Sequence, residues 1–74
     1  YTVAELRTAT AAAGLVQVLQ NDRNPMLRKK AAWALGQIHA SATVAGPALS
    51  HAATSDDSPV VRSLAGASLS TLTR

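Results

Sequence analysis

Few side chains in this chain are suited to chemistry or recognition, and several of them lie close together in one stretch. Arg28, Lys29 and Lys30 form the one run of three basic residues, and Trp33, the only tryptophan, follows one helical turn after Lys29. An aromatic side chain beside cations is typical of the residues that dominate protein–protein binding energies. With Arg23 nearby, the same cations also form a basic edge that could neutralise nucleic-acid phosphates.

No catalytic or metal-binding constellation is found in the sequence. The two histidines, His39 and His51, have no second ligand at the spacing of a metal site. Asp56 and Asp57 are adjacent and would point in different directions on a helix, so they are better placed to cap the helix that follows. No Gly-x-Ser-x-Gly elbow and no glycine-rich phosphate loop is present. We therefore predict that the protein is not an enzyme and has no metal and no cofactor.

The composition fits one small helical domain. The chain has 74 residues, 47% of them hydrophobic, and a net charge of +3 that gives a mildly basic surface. It contains no cysteine, which excludes disulfides and thiolate metal sites and leaves the redox compartment open. No apolar run reaches the length of a membrane span and no signal-peptide pattern is present. We therefore expect no membrane partner and favour a cytoplasmic location.

The cluster that contains Trp33 lies on a predicted helix from Pro25 to about His39. Asn24 is suited to cap this helix, and Pro25 fits its first turn because proline has no N–H to satisfy there. Apolar residues at helical spacing predict a buried stripe made of Leu27, Ala31, Ala34, Leu35 and Ile38. The opposite side of the helical wheel carries Met26, Lys29, Lys30, Trp33 and Gln37.

Three further helices are predicted around this one. Thr2 and Glu5 form a capping box that starts a helix ending near Gln20. Within it, Gly14 either admits a close neighbour or marks a break between two shorter helices.

The third helix is predicted to have Pro47 in its first turn, after a looser connection from Ala40 to Gly46 in which Ser41 and Thr43 are candidate caps. The fourth helix is predicted from Pro59 to about Thr73, with Ala65, Ser68, Leu69 and Leu72 on its apolar face.

One constant offset, the one that separates Pro25 from Pro59, relates the two halves of the chain. It aligns chemically distinct positions, namely Leu15 with Leu49, Asp22 with Asp56, Pro25 with Pro59, Arg28 with Arg62, Ala31 with Ala65, and Leu35 with Leu69. The repeating unit is a helix pair, and one pair cannot bury its apolar stripe alone, so pairs stack side by side. We assign a single domain over residues 1–74, with an N-terminal helix or partial repeat (about 1–11), repeat one (12–40) and repeat two (41–74). The pattern running up to Arg74 suggests a piece of a longer array.

The stretch from Leu15 to Ile38 resembles the short HEAT repeats called HEAT-like or phycobilisome-lyase-type repeats. The residues that carry the resemblance are Asp22, Pro25, Leu27-Arg28, Ala31-Ala32 and Ala34-Leu35-Gly36. Residues 49–72 match more loosely, because Ser70 replaces Gly36 and Gly66 replaces Ala32. The stretch from Ala31 to Gly36 is also close to the armadillo pattern, whose units are usually longer and have three helices.

The resemblance implies an all-α solenoid of antiparallel helix hairpins. It also implies that the arginine of each second helix reaches the turn acid of a neighbouring repeat, which makes a structural ladder of Asp22, Arg28, Asp56 and Arg62 that fixes the stacking register. The second helices of such units line the concave surface, so the expected partner-binding residues are Met26, Lys29, Lys30, Trp33 and Gln37. Trp33 either faces a partner or packs against an adjacent repeat or a chain terminus.

The function expected from this resemblance is non-catalytic protein–protein binding, as a scaffold or subunit of a larger assembly. Three alternatives stay open. One is a nucleic-acid-binding HEAT-like domain that uses the basic cluster from Arg28 to Lys30. Another is an accessory subunit of a lyase-type complex, and the last is a structural segment whose open solenoid ends bind further repeats of the same chain or a second copy.

Overall fold

The computed structural model describes residues 2–39 and 42–73, and every regular element in these two ranges is a helix. The helices are α1 (Val3–Asn21), α2 (Pro25–Gln37), α3 (Ala42–Ser55) and α4 (Pro59–Leu72). α1 packs against α2, and α3 packs against α4, as two antiparallel hairpins. The hairpins stack flank to flank, because α1 also packs against α3 and α2 against α4. The predicted all-α architecture of stacked helix hairpins is therefore confirmed.

α1 begins as predicted and continues without a break. The Thr2 hydroxyl accepts a hydrogen bond from the Glu5 N–H at 3.1 Å, and the Glu5 carboxylate accepts one from the Thr2 N–H at 3.2 Å. Gly14 lies inside this helix, and a Cβ placed on it would meet no atom of a neighbouring element within 4 Å. Gly14 therefore marks neither a break nor a close contact, and α1 is one continuous helix from Val3 to Asn21.

α2 and α4 begin in the same way. The Asn24 side chain accepts a hydrogen bond from the Met26 N–H at 2.9 Å, and the Ser58 hydroxyl accepts one from the Val61 N–H at 3.4 Å. A proline follows each cap at the first helical position. α2 ends at Gln37, slightly earlier than predicted, and His39 has a φ of 50°, so the chain leaves the helical path there.

The prediction for the start of α3 was wrong. The helix begins at Ala42, so Thr43 is its second residue rather than a cap, and Pro47 lies inside the helix rather than in its first turn. Ser41 lies outside the described residues. Packing explains the difference, because Ala45, one turn into the helix, is fully buried in the core. Burial of an apolar face contributes more to helix stability than local propensity does, and it outweighs the backbone hydrogen bond that Pro47 cannot make.

The core is built mainly from alanine, and its largest fully buried side chains are Leu35, Leu49 and Val61. In α2, the prediction for Leu27 was wrong, because 43% of its surface is exposed. Val61, the counterpart of Leu27 in the second hairpin, is fully buried. α4 has α2 beside it, whereas no described helix covers the corresponding side of α2. The residues of α2 that are buried are Arg28, Ala31, Ala32, Leu35 and Gly36.

Candidate partner-binding surface

The guanidinium of Arg28 joins the two hairpins. Its Nε donates to Asp56 Oδ2 at 3.0 Å, and its Nη2 donates to Asp56 Oδ1 at 3.2 Å, which makes a forked pair. Nη2 also donates to Asp57 Oδ1 at 2.5 Å. Arg28 lies in the first turn of α2, and the two acids lie in the turn between α3 and α4, so the pair ties one repeat to the turn of the next. Planar, charge-assisted contacts of this kind are geometrically specific.

The same guanidinium also closes its own turn. Its Nη1 donates to the main-chain oxygens of Asp22 and Arg23 at 2.9 and 3.1 Å. Arg28 thus makes one hydrogen bond through Nε and two through each terminal nitrogen, and these use all five N–H groups that an arginine has. Arg28 is almost completely buried, and none of its donors is left without a partner there.

Asp56 is the acceptor at the centre of this arrangement. Burial acts to raise the pKa of its carboxyl, but the hydrogen bonds from Arg28 and from the Ser58 N–H outweigh burial, so the pKa lies below its ordinary value. The Ser58 N–H donates to Asp56 Oδ1 at 2.9 Å. Asp56 therefore stays ionised and serves both hairpins at once.

The remaining two residues of the predicted ladder make only part of these contacts. Arg62 donates from Nη1 to the main-chain oxygen of Asp56 at 2.6 Å, as Arg28 does to that of Asp22. The Asp22 carboxylate accepts from the Asn24 N–H at 2.8 Å, as Asp56 does from Ser58. Within the described ranges, neither Arg62 nor Asp22 forms a salt bridge through its side chain. The structure thus brings Arg28 to Asp56 and leaves the outer two side chains apart.

The predicted partner-binding residues lie on the side of α2 that is opposite its buried residues. Trp33 is 55% exposed and Met26 is 54% exposed, while Lys30 and Gln37 are exposed and Lys29 is partly buried. At the equivalent positions of α4, Val60, Ser63, Ala67 and Thr71 are exposed, and Leu64, the counterpart of Lys30, is half-buried. Because α2 and α4 pack side by side, the two stripes form one surface, which we call the recognition face.

The two halves of the recognition face differ in character. The α2 half carries the bulky side chains of Met26 and Trp33 and the cations Lys29 and Lys30. The α4 half has no charged or aromatic side chain, and its exposed side chains Val60, Ser63, Ala67 and Thr71 are small. The α2 half therefore presents an aromatic side chain and positive charge, whereas the α4 half presents small side chains close to the helix backbone.

The predicted basic edge is smaller than the sequence suggests. Arg28 is buried and pairs with carboxylates, so it cannot contact phosphate without breaking the link between the hairpins. Of the other three cations, Arg23 and Lys30 are exposed and Lys29 is partly buried. These three side chains are few for a nucleic-acid surface, which normally concentrates more lysine and arginine.

Sequence reasoning missed a close contact between α2 and α4. The buried Ser68 hydroxyl donates to the main-chain oxygen of Ala32 at 2.6 Å. A Cβ on Gly36 would come within 2.9 Å of Ser68 Oγ and 3.1 Å of Ser68 Cβ. The available signal was a hydroxyl on the apolar face of α4 and a glycine on the apolar face of α2.

Other surface features of the described residues add no second site. Two shallow clefts, of about 580 and 630 Å³, lie beside His39 and beside His51. Both histidines are exposed, and no group of three His, Asp or Glu side chains converges anywhere in residues 2–39 and 42–73. None of the helices in these ranges is both long and apolar enough to cross a membrane.

Comparison with known proteins gives one match. A sequence model of HEAT repeats matches residues 1–70 of the chain, which covers all of α1, α2 and α3 and most of α4. None of the curated proteins and none of the solved structures matches the chain significantly.

Proposed function

Since this chain belongs to the HEAT-repeat family, whose repeats generally mediate protein–protein interactions, we propose that it is a non-catalytic module that binds a protein partner on its recognition face. The observation that carries the proposal is the exposure of Trp33 and Met26 on one side of α2. The two side chains share one exposed side of α2 with Lys29 and Lys30, and tryptophan is among the residues enriched in binding hot spots.

The chemistry of the face describes the partner. Trp33 and Met26 offer apolar contacts, and Lys29 and Lys30 add positive charge at the edge of the same stripe. A complementary partner is an extended or helical segment that places an apolar side chain on Trp33 and acidic side chains beside the lysines. The short side chains of α4 leave room for the backbone of such a segment. The stacked helices hold the face rigid, which limits the entropy lost on binding.

The experiment is a selection from a random peptide library with the purified chain as bait. We expect the recovered peptides to combine acidic residues with an aromatic or large aliphatic residue. Trp33 is the only tryptophan, so its fluorescence emission reports directly on contact, and it should shift to shorter wavelength on binding. Trp33→Ala should weaken binding by at least about tenfold, as hot-spot residues do.

Leu6→Ala is the matched control, because Leu6 is a large exposed apolar residue on α1. α1 packs beside α3 and is not part of the recognition face, which α2 and α4 form. It should leave the peptide affinity unchanged. Peptides whose affinity depends on Leu6 and not on Trp33 would place binding elsewhere and contradict the proposal. Tight binding of duplex DNA with a steep dependence on salt would contradict it as well, because that behaviour is the mark of phosphate contacts.

A further inference from the structure

Residues that share a position in the two hairpins differ in burial, and the differences form two flanks. On one flank, residues of the first hairpin are exposed or half-buried although their counterparts in the second hairpin are buried. Leu27 is exposed and Val61 is buried, and Leu15 is half-buried while Leu49 is fully buried. We call this the leading flank, and it consists of Ala11, Leu15, Val18 and Leu27.

On the other flank, the relation is reversed. Leu69 is half-buried although its counterpart Leu35 is fully buried, and Gly66 is half-buried although Ala32 is fully buried. We call this the trailing flank, and it consists of Gly46, Ala53, Arg62, Gly66 and Leu69. The leading flank corresponds, by repeat position, to the surface of the second hairpin that packs against the first. The trailing flank corresponds to the surface of the first hairpin that packs against the second. Each flank is therefore a second copy of a surface that is buried between the hairpins, but it has no neighbour among the described helices.

Each flank also carries half of the ion pair that joins the hairpins. Asp22 on the leading side has the geometry of Asp56, since both carboxylates accept from the main-chain N–H two residues later, at 2.8 and 2.9 Å. Arg62 on the trailing side has the geometry of Arg28, since both guanidinium groups donate from Nη1 to the main-chain oxygen six residues earlier, at 2.6 and 2.9 Å. Arg62 Nε and Nη2 therefore correspond to the Arg28 atoms that donate to Asp56. The second carboxylate oxygen of Asp22 corresponds to Asp56 Oδ2, which accepts from Arg28 Nε.

We propose that the trailing flank of one copy of this chain binds the leading flank of a second copy, with Arg62 of one copy and Asp22 of the other forming a forked pair. The shape match comes from the repeat itself, and the side chains of Asp22 and Arg62 carry opposite charges. The contact is head to tail, so it does not close on two copies and extends to further ones. It uses neither Trp33 nor the rest of the recognition face.

The proposed contact between copies differs at one residue from the contact between the two hairpins, and this difference sets the strength of the association. Arg28 meets a second carboxylate, Asp57, whereas the counterpart of Asp57 in the first hairpin is Arg23. In the contact between copies, Arg62 would therefore meet one carboxylate and a neighbouring cation. The association is accordingly weak and reversible in the natural sequence, and Arg23→Asp should strengthen it.

The first test is sedimentation of the chain and of Arg23→Asp from micromolar to millimolar concentration. The average mass of the natural chain should rise past that of a dimer at the upper end. Arg23→Asp should reach the same mass at a concentration lower by about tenfold or more, the effect of one charge-assisted hydrogen bond. Arg23 is exposed and uses only its main-chain oxygen in the fold, so the change leaves the hairpins intact. A monomer at every concentration for both proteins would overturn the proposal.

The second test separates the two flanks. Asp22→Asn keeps an oxygen that can accept from the Asn24 N–H but removes the charge, and Arg62→Gln removes the fork. When both variants are made in the Arg23→Asp background, each alone should stay monomeric at concentrations where Arg23→Asp itself associates, whereas an equimolar mixture should form a one-to-one pair and stop there. Thermal unfolding of each variant checks that it is folded, and Leu69→Glu replaces Arg62→Gln if the latter unfolds. Association that Asp22→Asn does not weaken, or a closed symmetric dimer, would overturn the proposal.

Nuclear magnetic resonance of the natural chain gives a readout that needs no variant. Shifts that depend on concentration should fall on Leu27 and Leu69 and leave the indole of Trp33 unmoved. Shifts centred on Trp33 would show association through the recognition face and would overturn the proposal about the flanks. Peptide binding at Trp33 can fail without changing this result, so the two proposals are tested separately.

Discussion

Arg28 and Arg62 occupy the same position in the two hairpins, yet one uses all of its donors and the other only part of them. Arg28 donates to two main-chain oxygens of its own turn and to the carboxylates of Asp56 and Asp57. Arg62 donates to the main-chain oxygen of Asp56. The residue type determines which contact can be made, and the presence of a neighbouring hairpin decides whether it is made.

The apolar residues show the same dependence on a neighbouring hairpin. Leu35 and Leu69 are repeat counterparts, but only Leu35 is fully buried. The periodic pattern names the positions that a neighbour can cover, and it assigns them equally to both hairpins. In a stack of two hairpins, each hairpin has a neighbour on one flank only, so the residues on its other flank stay partly open to solvent.

Replacing the two arginines should give the largest difference between the hairpins. Arg28→Ala removes the donors of two main-chain oxygens and leaves the part-buried Asp56 carboxylate with the Ser58 N–H but without its cation, so we expect the midpoint of thermal unfolding to fall by at least about 15 °C. Arg62→Ala removes one described hydrogen bond, and a fall of roughly 5 °C or less is expected. Circular dichroism in the far ultraviolet, which reports helix content, measures both. Equal falls would show that the link between hairpins contributes nothing beyond each turn.

Truncating the paired leucines should separate the hairpins again, by a smaller amount. Leu35→Ala empties a fully buried site and should lower the free energy of unfolding by about 2–5 kcal/mol. Leu69→Ala should cost about half as much, because part of that side chain already contacts water. Urea unfolding gives both free energies. If Leu69→Ala were the more damaging change, the trailing flank would be covered in solution by something absent from the two stacked hairpins.

Much of this architecture was predictable because it depends on local signals. The capping box of Thr2 and Glu5, the Asn-Pro and Ser-Pro helix starts and the constant offset between the two halves predicted the number and pairing of the helices. The wrong predictions concern residues whose environment is decided by distant parts of the chain. Pro47 was read by a local rule for helix starts, whereas burial of Ala45 extends the helix past it. Leu27 was assigned to the core by periodicity, but its side of α2 has no neighbour.

The candidate site was predictable in part for the same reason. Helical spacing placed Trp33 and the lysines opposite the buried side of α2, where Trp33 and Lys30 are exposed and Lys29 is partly buried. Spacing could not show that Arg28, adjacent to Lys29 in sequence, would be buried against Asp56. Nor could it show that the Ser68 hydroxyl would find the Ala32 carbonyl, because such a bond depends on how closely two helices approach.

Glycine substitutions should have opposite signs in the two environments. Gly36→Ala puts a methyl group within 2.9 Å of Ser68 Oγ at the crossing of α2 and α4, so the helices must shift and stability should fall by about 1–3 kcal/mol. Gly14→Ala adds a methyl group where nothing lies within 4 Å, and the better helix propensity of alanine should raise stability by up to about 1 kcal/mol. Urea unfolding under identical conditions checks both. A stabilising Gly36→Ala would mean that the helices separate at little cost.

The smallest expected effect is a dependence on pH that isolates Asp56. Its carboxyl has a pKa below the ordinary value of 3.8 in the folded chain, although burial alone would raise it, because Arg28 and Ser58 donate to it. The resulting stabilisation is fully present above the pKa of the unfolded chain and is lost as the pH falls through the lower pKa of the folded chain.

Asp56→Asn cannot titrate and resembles the protonated acid. The natural chain should therefore be the more stable of the two at neutral pH, and this advantage should shrink as the pH drops below about 4. Urea unfolding across that range measures the difference, and an advantage that stayed constant to low pH would show that the charge of Asp56 does not stabilise the contact between the hairpins.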